Sequence, residues 1–465
     1  MRRPISVPAV NSRRGQPDPV GAGLVEAAEF AVLMDQLGPF EPAPRLAVAV
    51  SGGADSLALA LLAESWARDQ GGSILALIVD HGLRESSAAG AVETADRLAA
   101  RGIAWRVIPL TGLPYGSGLA DRARQARYQV LFQACETAGI VHLLLGHHLA
   151  DQAETLLIRV LGGSAASGLA AMASLVETQD LRLLRPLLGV SPVRLRAHLR
   201  AAGIGWVEDP SNHSMDALRP RLRALRADRD GIGSASRAIA AAAAAHGGAR
   251  AVRQRQCAIT MAEIATLHPE GFAILPRAPL PPDVLAALIQ AISGARYGAD
   301  SLSVAALAAD PRPATLAGVR LIEISRAAVE STVARSLLML REEAAIAPDV
   351  PAHLGVIWDG RFRMRAVSGS VGKFPHGLVL GKLGDAASGF RRRSSLPSAL
   401  LRTLPALWRR ADPGTEDTPE SKQNHGCCEK LVAVPHLGYV NEEVSASIGL
   451  VFAPSRPAAP ASFST

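Results

Sequence analysis

Leu46-Ala47-Val48-Ala49-Val50-Ser51-Gly52-Gly53-Ala54-Asp55-Ser56 is the stretch that decides the fold. Its five apolar residues read as a buried strand, and Leu57 to Arg68 carries a helical pattern. Between them two adjacent glycines let the chain turn sharply and let backbone approach a ligand, because no Cβ intervenes. The helix start then offers unpaired N–H groups and a positive dipole end, a natural phosphate site. Ser51 and Ser56 add hydroxyls. Asp55 repels phosphate unless a metal stands between them, so the combination points to a magnesium nucleotide. A plain βα turn with an N-cap accounts for Ser-Gly-Gly as well. The pattern is not the Gly-x-x-x-x-Gly-Lys-Ser/Thr of a Walker loop.

Outward from this turn, strand-like runs at 46–50, 73–79, 104–110 and 140–146 alternate with helical patterns at 55–69, 87–101, 119–138, 151–161 and 191–202. That alternation predicts a parallel sheet with helices on both faces. Ligands of such sheets bind beyond the carboxyl ends of the strands, so the chemistry belongs there. Polar clusters do fall at those ends. Asp80-His81-Gly82-Leu83-Arg84 follows the second strand, directly after Val79, and a structural turn explains it equally. Gly146-His147-His148-Leu149-Ala150-Asp151-Gln152-Ala153-Glu154-Thr155 follows the fourth. Asp151 and Glu154 are three apart and share a helix face. They serve either to complement the helix dipole or to bind a metal or an ammonium group. The two histidines have no third ligand placed for zinc. Arg124 and Arg127 recur at helical spacing in Ala123-Arg124-Gln125-Ala126-Arg127-Tyr128. Trp206 to Asn212, with Asp209-Pro210-Ser211, reads as a turn before a basic helix bearing Arg219 and Arg223.

The chain has 465 residues, room for two to four domains, and its 48% apolar and 20% charged residues are a globular balance. A net charge of +7 suits a polyanionic partner such as RNA, or simply a basic surface. The positive charge is nearly all arginine, with lysine only at 373, 382, 422 and 430. Cys135, Cys257, Cys427 and Cys428 form no disulfide framework, which predicts a reducing, cytoplasmic setting. No run of about 18 apolar residues predicts a membrane span.

Taken together, these clusters resemble the tRNA(Ile)-lysidine synthases, members of the PP-loop N-type ATP pyrophosphatases. The resemblance is carried by Ser51 to Ser56, Val79 to Arg84, Ala123 to Tyr128, His147 to Thr155, Arg185-Pro186-Leu187-Leu188, and Asp209 to Asn212 with its downstream arginines. It covers about Arg45 to Arg226. It extends weakly to Trp358-Asp359-Gly360-Arg361-Phe362, Leu404 to Trp408 and Val434 to Tyr439. Ala150 stands where the family carries a first Asp, Gly162 and Ala165 interrupt its Arg-Gly-Ser-Gly, and Pro220 stands where Asn is common.

The resemblance implies ligation of free L-lysine to the wobble cytidine of the isoleucine tRNA with anticodon CAU. ATP is spent to AMP and pyrophosphate through an adenylated cytidine, and codon specificity moves from AUG to AUA. It implies an ATP site at Ser51, Gly52, Gly53, Ala54, Asp55, Ser56, Val79 and His81, with Asp55 placing Mg2+. It implies a lysine site at Arg127, Asp151 and Glu154, and catalytic roles for Asp55, Asp151 and Arg219. Another PP-loop tRNA-modifying enzyme and a weakened ATP-binding protein are the alternatives. No stable protein partner is called for beyond a homodimer.

The expected architecture is α/β: a disordered extension over 1–40, a PP-loop domain over 41–230, a largely helical middle domain over 231–347, and a small β-rich C-terminal domain over 348–465. The last is the expected tRNA contact, with Arg391-Arg392-Arg393 its densest basic triplet.

Overall fold

The computed structural model describes residues 23–80, 82, 86–110, 119–164, 166–178, 180–207, 221–222, 228, 233–324, 336–366, 377–410, 430–441 and 448–454. The chain divides into two compact units, one built mainly from residues up to 248 and the other mainly from 249 onward.

The first unit is the predicted α/β layer. Its elements are α1 (Ala27–Asp35), β1 (Arg45–Val50), α2 (Ala54–Asp69), β2 (Ser73–Asp80), α3 (Ser86–Ala99), β3 (Ala104–Pro109), α4 (Leu119–Ala138), β4 (His142–Leu145), α5 (Leu149–Leu161), α6 (Ala166–Leu169), β5 (Leu175–Glu177), β6 (Arg182–Leu184) and α7 (Pro192–Ala201). The strand order is β3-β2-β1-β4-β6-β5. β1 pairs in parallel with both β2 and β4. The chain therefore moves outward from β1 through β2 to β3, then returns to lay β4 on the other side of β1. That reversal opens a crevice beyond the carboxyl ends of β1 and β4, where open α/β sheets bind ligands.

Strand alternation sends the side chains of β1 into two cores. Leu46, Val48 and Val50 join Phe30 and Met34 of α1, Leu59 and Leu62 of α2, and Leu195 and Leu199 of α7. Ala47 faces the other layer, with Leu131, Ala134 and Cys135 of α4. Helix α1 corrects the expectation of disorder up to residue 40. Phe30 and Met34 are one helical step apart and fully buried. Arg194 ties the same segment down, donating from Nη1 and Nη2 to the Glu29 carboxylate at 2.8 and 2.6 Å and from Nε to the Gly23 carbonyl at 3.1 Å. Residues 1–22 of the expected extension lie outside the described residues.

In the second unit the expected helices are present as Ser234–Ile264, which begins before the unit boundary, Pro282–Ser293 and Ser301–Ala309. They are accompanied by a five-stranded antiparallel sheet, β7-β8-β11-β10-β9, which the helical reading did not include. Its strands are β7 (Thr266–His268), β8 (Phe272–Pro276), β9 (Ala314–Leu316), β10 (Val319–Ile324) and β11 (Ser336–Arg341). Leu337 and Met339 of β11 bury their side chains against Leu285, Leu288 and Ile292 of the second helix.

The β-rich remainder holds β12 (Val350–Pro351), β13 (Ile357–Trp358), β14 (Phe362–Ala366), β15 (Leu378–Lys382), β16 (Pro405–Arg409), β17 (Lys430–Val434), β18 (Tyr439–Val440) and β19 (Ile448–Phe452). They form two sheets, β12-β15-β16-β17-β18 and β13-β14-β19. The Trp358-to-Phe362 motif is structural here. Asp359 is buried and bridges Arg341 (Nε–Oδ2 3.0 Å, Nη2–Oδ1 3.0 Å) and Arg361 (Nε–Oδ2 2.8 Å). It also accepts the Ala347 N–H at 2.9 Å.

Candidate active site

The turn after β1 is held by one hydroxyl. Ser56 Oγ accepts the Ser51 N–H at 3.1 Å and donates to the Gly53 carbonyl at 3.0 Å, with Ser51 Oγ 3.2 Å away. Gly52 has φ +82° and passes so close to α3 that a Cβ there would lie 2.5 Å from Thr94 Oγ1. Its carbonyl accepts the Val207 N–H at 2.9 Å. Gly53 is the N-cap of α2 with no side-chain cap, so the first N–H groups of a 16-residue helix face the crevice. Gly146 closes the other side, where a Cβ would press on the Ser56 backbone at 3.1 Å.

These residues border a pocket of about 180 Å³ that Ser51, Gly53, Asp55, Ser56, Val79, Arg127 and His147 help to line. It sits at the reversal point that the strand order creates. Ser51, Gly53, Asp55, Ser56 and Val79 of the predicted ATP set are thus brought together with Arg127 of the predicted lysine set. His81 and Arg219 lie outside the described residues.

Arg127 enters from α4. Burial disfavours its charged form, Tyr128 favours it and Arg124 disfavours it, and the net pKa lies below the usual guanidinium value. Among the described residues no carboxylate is paired with it, so a cation faces the pocket with its counter-charge still to be supplied. Asp55 Oδ1 is buried and makes no hydrogen bond within the protein. Among the described residues no three His, Cys, Asp or Glu side chains converge as a metal cage. Magnesium nucleotides need none, since one or two carboxylates plus the phosphates commonly suffice.

Helix α5 starts at Leu149, two residues before the predicted start, with His148 as its N-cap. The two acids stay three apart on one helix face. Asp151 falls in the first turn and its Oδ2 accepts the His148 N–H at 3.1 Å, a capping contact. Glu154 falls in the second turn and is fully buried. Ala150 is buried as well. Neither acid borders the pocket.

Two histidines that the sequence offered only as unconvincing zinc ligands have other places. His147 lines the pocket, and burial first, then Arg185, Arg124 and Arg127, outweigh Asp151 and bring its pKa down to about 4. His148 is buried between Asp55 (Nε2–Oδ2 3.4 Å) and Asp151 (Nδ1–Oδ2 3.7 Å). Burial opposes its charge, but Asp151, Asp55 and Glu154 prevail and its pKa is raised. The signal for His148 was its place at the end of β4. Its contact with Asp55 needed the pairing of β4 beside β1. Arg185 of the Arg-Pro-Leu-Leu motif is buried and donates to the Ala173 carbonyl at 2.8 Å.

Elsewhere, Arg391, Arg392 and Arg393 are exposed, and Arg393 joins Phe390, Ser394, Leu437, Gly438 and Tyr439 around a hollow of about 110 Å³. Among the described residues no helix is long and apolar enough to cross a membrane.

Residues 26–226 match the PP-loop domain family. The tRNA(Ile)-lysidine synthase of Bradyrhizobium diazoefficiens is 41% identical over 47% of this chain and 61% of its own length. That of a second Bradyrhizobium strain is 44% identical over 40% of this chain and 53% of its own length. Against these two, the chain spans little more than half of the relative. The enzyme of Ruegeria pomeroyi is 34% identical over 80% of this chain and 88% of its own length. A glycine turn with Asp55 at the sheet's reversal point, inside a match of that extent, places the chain in the tRNA(Ile)-lysidine synthase family of PP-loop proteins.

Proposed function

We propose that the protein ligates free L-lysine to the wobble cytidine of the isoleucine tRNA with anticodon CAU, spending ATP to AMP and pyrophosphate. The observation that carries this is the pocket itself, where the phosphate-type turn of β1 and Arg127, which has no carboxylate partner among the described residues, face one space. The N–H groups at Gly52 and Gly53 would hold the pyrophosphate part of ATP, and Asp55 would hold Mg2+. When bound, the metal offsets the charge that builds on the phosphates.

The cytidine ring oxygen attacks the α-phosphorus and pyrophosphate leaves. The neutral amine of lysine then bonds to the ring carbon, the carbon–oxygen bond breaks, AMP departs and the amine gives up a proton. Fixed backbone donors aimed at the phosphates stabilise the first step without reorganising. Arg127 takes the lysine carboxylate, as a planar guanidinium does well. Asp151 and Glu154 supply negative charge for the ammonium end, Asp151 from the cap of α5 and Glu154 from beneath it. Arg219 adds a phosphate contact, and the arginines at 391–393 meet the tRNA. His148 keeps Asp55 and Asp151 in register.

The test is to mix the protein with ATP, labelled lysine and a set of tRNA transcripts. Label is expected in the CAU isoleucine tRNA, with one AMP released per lysine joined. AMP release without transfer of lysine would point instead to another PP-loop modification. No AMP with any RNA would leave an ATP-binding protein.

A further inference from the structure

We infer that the exposed stretch Ala251–Gln256 of the helix Ser234–Ile264, with Arg253 and Arg255, is a docking surface for the phosphate backbone of an RNA stem. This rests on the function proposed above and adds where on the chain the RNA is held. From Ala251 to Gln256 every residue of the helix is exposed, so none of these six side chains is buried in a core. A helix that is polar and solvated all round ordinarily carries paired opposite charges. This one does not. Between Ser234 and Ala262 the helix holds Arg237, Arg250, Arg253 and Arg255 and no acid, the first being Glu263.

Some exposed arginines elsewhere do have acids, as Arg68 has Glu64, Arg277 has Glu323 and Arg312 has Asp310. Arg253 and Arg255 have no carboxylate partner among the described residues. Positive charge left uncompensated on a helix is complementary to a polyanion.

Geometry favours RNA over a flat anionic surface. Arg255 is turned about 200° from Arg253 on a helix of 3.6 residues per turn. The guanidiniums thus point to both sides, which suits phosphates on the two rims of the wide, shallow minor groove of an RNA stem. A lipid surface meets one face only.

The test uses the full chain with both arginines replaced, Arg253→Ala with Arg255→Ala, changes that favour helix. The readout is anisotropy of fluorescent total tRNA over a salt series, without turnover, so that it is independent of the ligation proposal. We expect affinity about 10-fold or more lower, and a plot of log affinity against log salt shallower by about two phosphates. The melting temperature should hold, and an Arg312→Ala control should bind as the parent does. Unchanged affinity and slope in the double variant would overturn the inference while leaving the ligase reading standing. So would an equal loss in the control, which would reduce the effect to net charge. Parent-level binding to phosphatidylserine vesicles that falls in step with tRNA binding would assign the surface to membranes instead. Parent protein that binds tRNA through these arginines but transfers no lysine would overturn the ligase reading and uphold this one.

Discussion

The Nε2 atom of His148 lies 3.4 Å from Oδ2 of Asp55, so the cap of α5 is joined to the nucleotide turn of β1 through one buried imidazole. The other ring nitrogen lies 3.7 Å from Asp151. The acid implied to hold metal and the acid implied to hold lysine therefore share a support. Replacing His148 by Ala should disturb both at once. We expect the KM values for ATP and lysine to rise together, whereas a purely structural loss would lower the melting temperature and leave the KM of the surviving fraction unchanged.

Asp55 contributes little to packing, with about a third of its side chain exposed and Oδ1 unpaired. Asp55→Asn should keep the fold and lower AMP release by about 100-fold or more, the scale seen when one fixed electrostatic contact to a transition state is lost. Dependence on Mg2+ should weaken with it. Turnover near the parent level in a well-folded variant would remove Asp55 from the metal site.

Asp151 and Glu154 should separate. Asp151 caps α5, so Asp151→Ala should cost about 1 kcal/mol of stability, read as a lower melting temperature. Glu154 lies in the second turn and is fully buried. If it supplies charge to lysine, Glu154→Gln should raise the lysine KM by about 10- to 100-fold, the size of one charge-assisted hydrogen bond. A lower melting temperature with unchanged lysine KM would make Glu154 part of the scaffold.

Gly52 and Gly163 both have positive φ, +82° and +65°. A Cβ at Gly163 would meet nothing, whereas at Gly52 it would meet Thr94 at 2.5 Å. Alanine at Gly163 should therefore cost only the left-handed strain of about 1–2 kcal/mol. Alanine at Gly52 should cost more and also displace the turn, raising the ATP KM. Equal effects on ATP at the two positions would show that the turn is not held against α3 as described.

In the second unit Asp359 is the counter-ion of two buried arginines, and burial pulls the Arg361 pKa down to about 10 despite that carboxylate. Asp359→Ala would strand both guanidiniums, a loss of about 3–5 kcal/mol. The expected result is a lower melting temperature for the second unit with ATP binding retained by the first. Unchanged melting would mean that the cluster is not closed to water.

Much of the first unit was legible in the sequence because its signals are local. The apolar run of β1, the glycines after it and the helix pattern that follows need no distant partner to be read, and the predicted strands 46–50 and 73–79 differ from the observed ones by a residue at an end. Helix α1 was hidden because its anchors, Arg194 and the core side of α7, are far along the chain. The sheet of the second unit was hidden because β8 and β11 are short, wholly or nearly buried runs, which carry no alternation to distinguish strand from helix. The residue types of the site were determined by sequence alone. Their grouping was decided by the strand order, which sets β4 beside β1 and so brings Gly146 and His147 to the turn at Ser51. The start of α5 at Leu149 likewise made Asp151 the capping acid, while packing put Glu154 in the interior. Spacing fixes which side chains share a helix face, but only packing decides what that face meets.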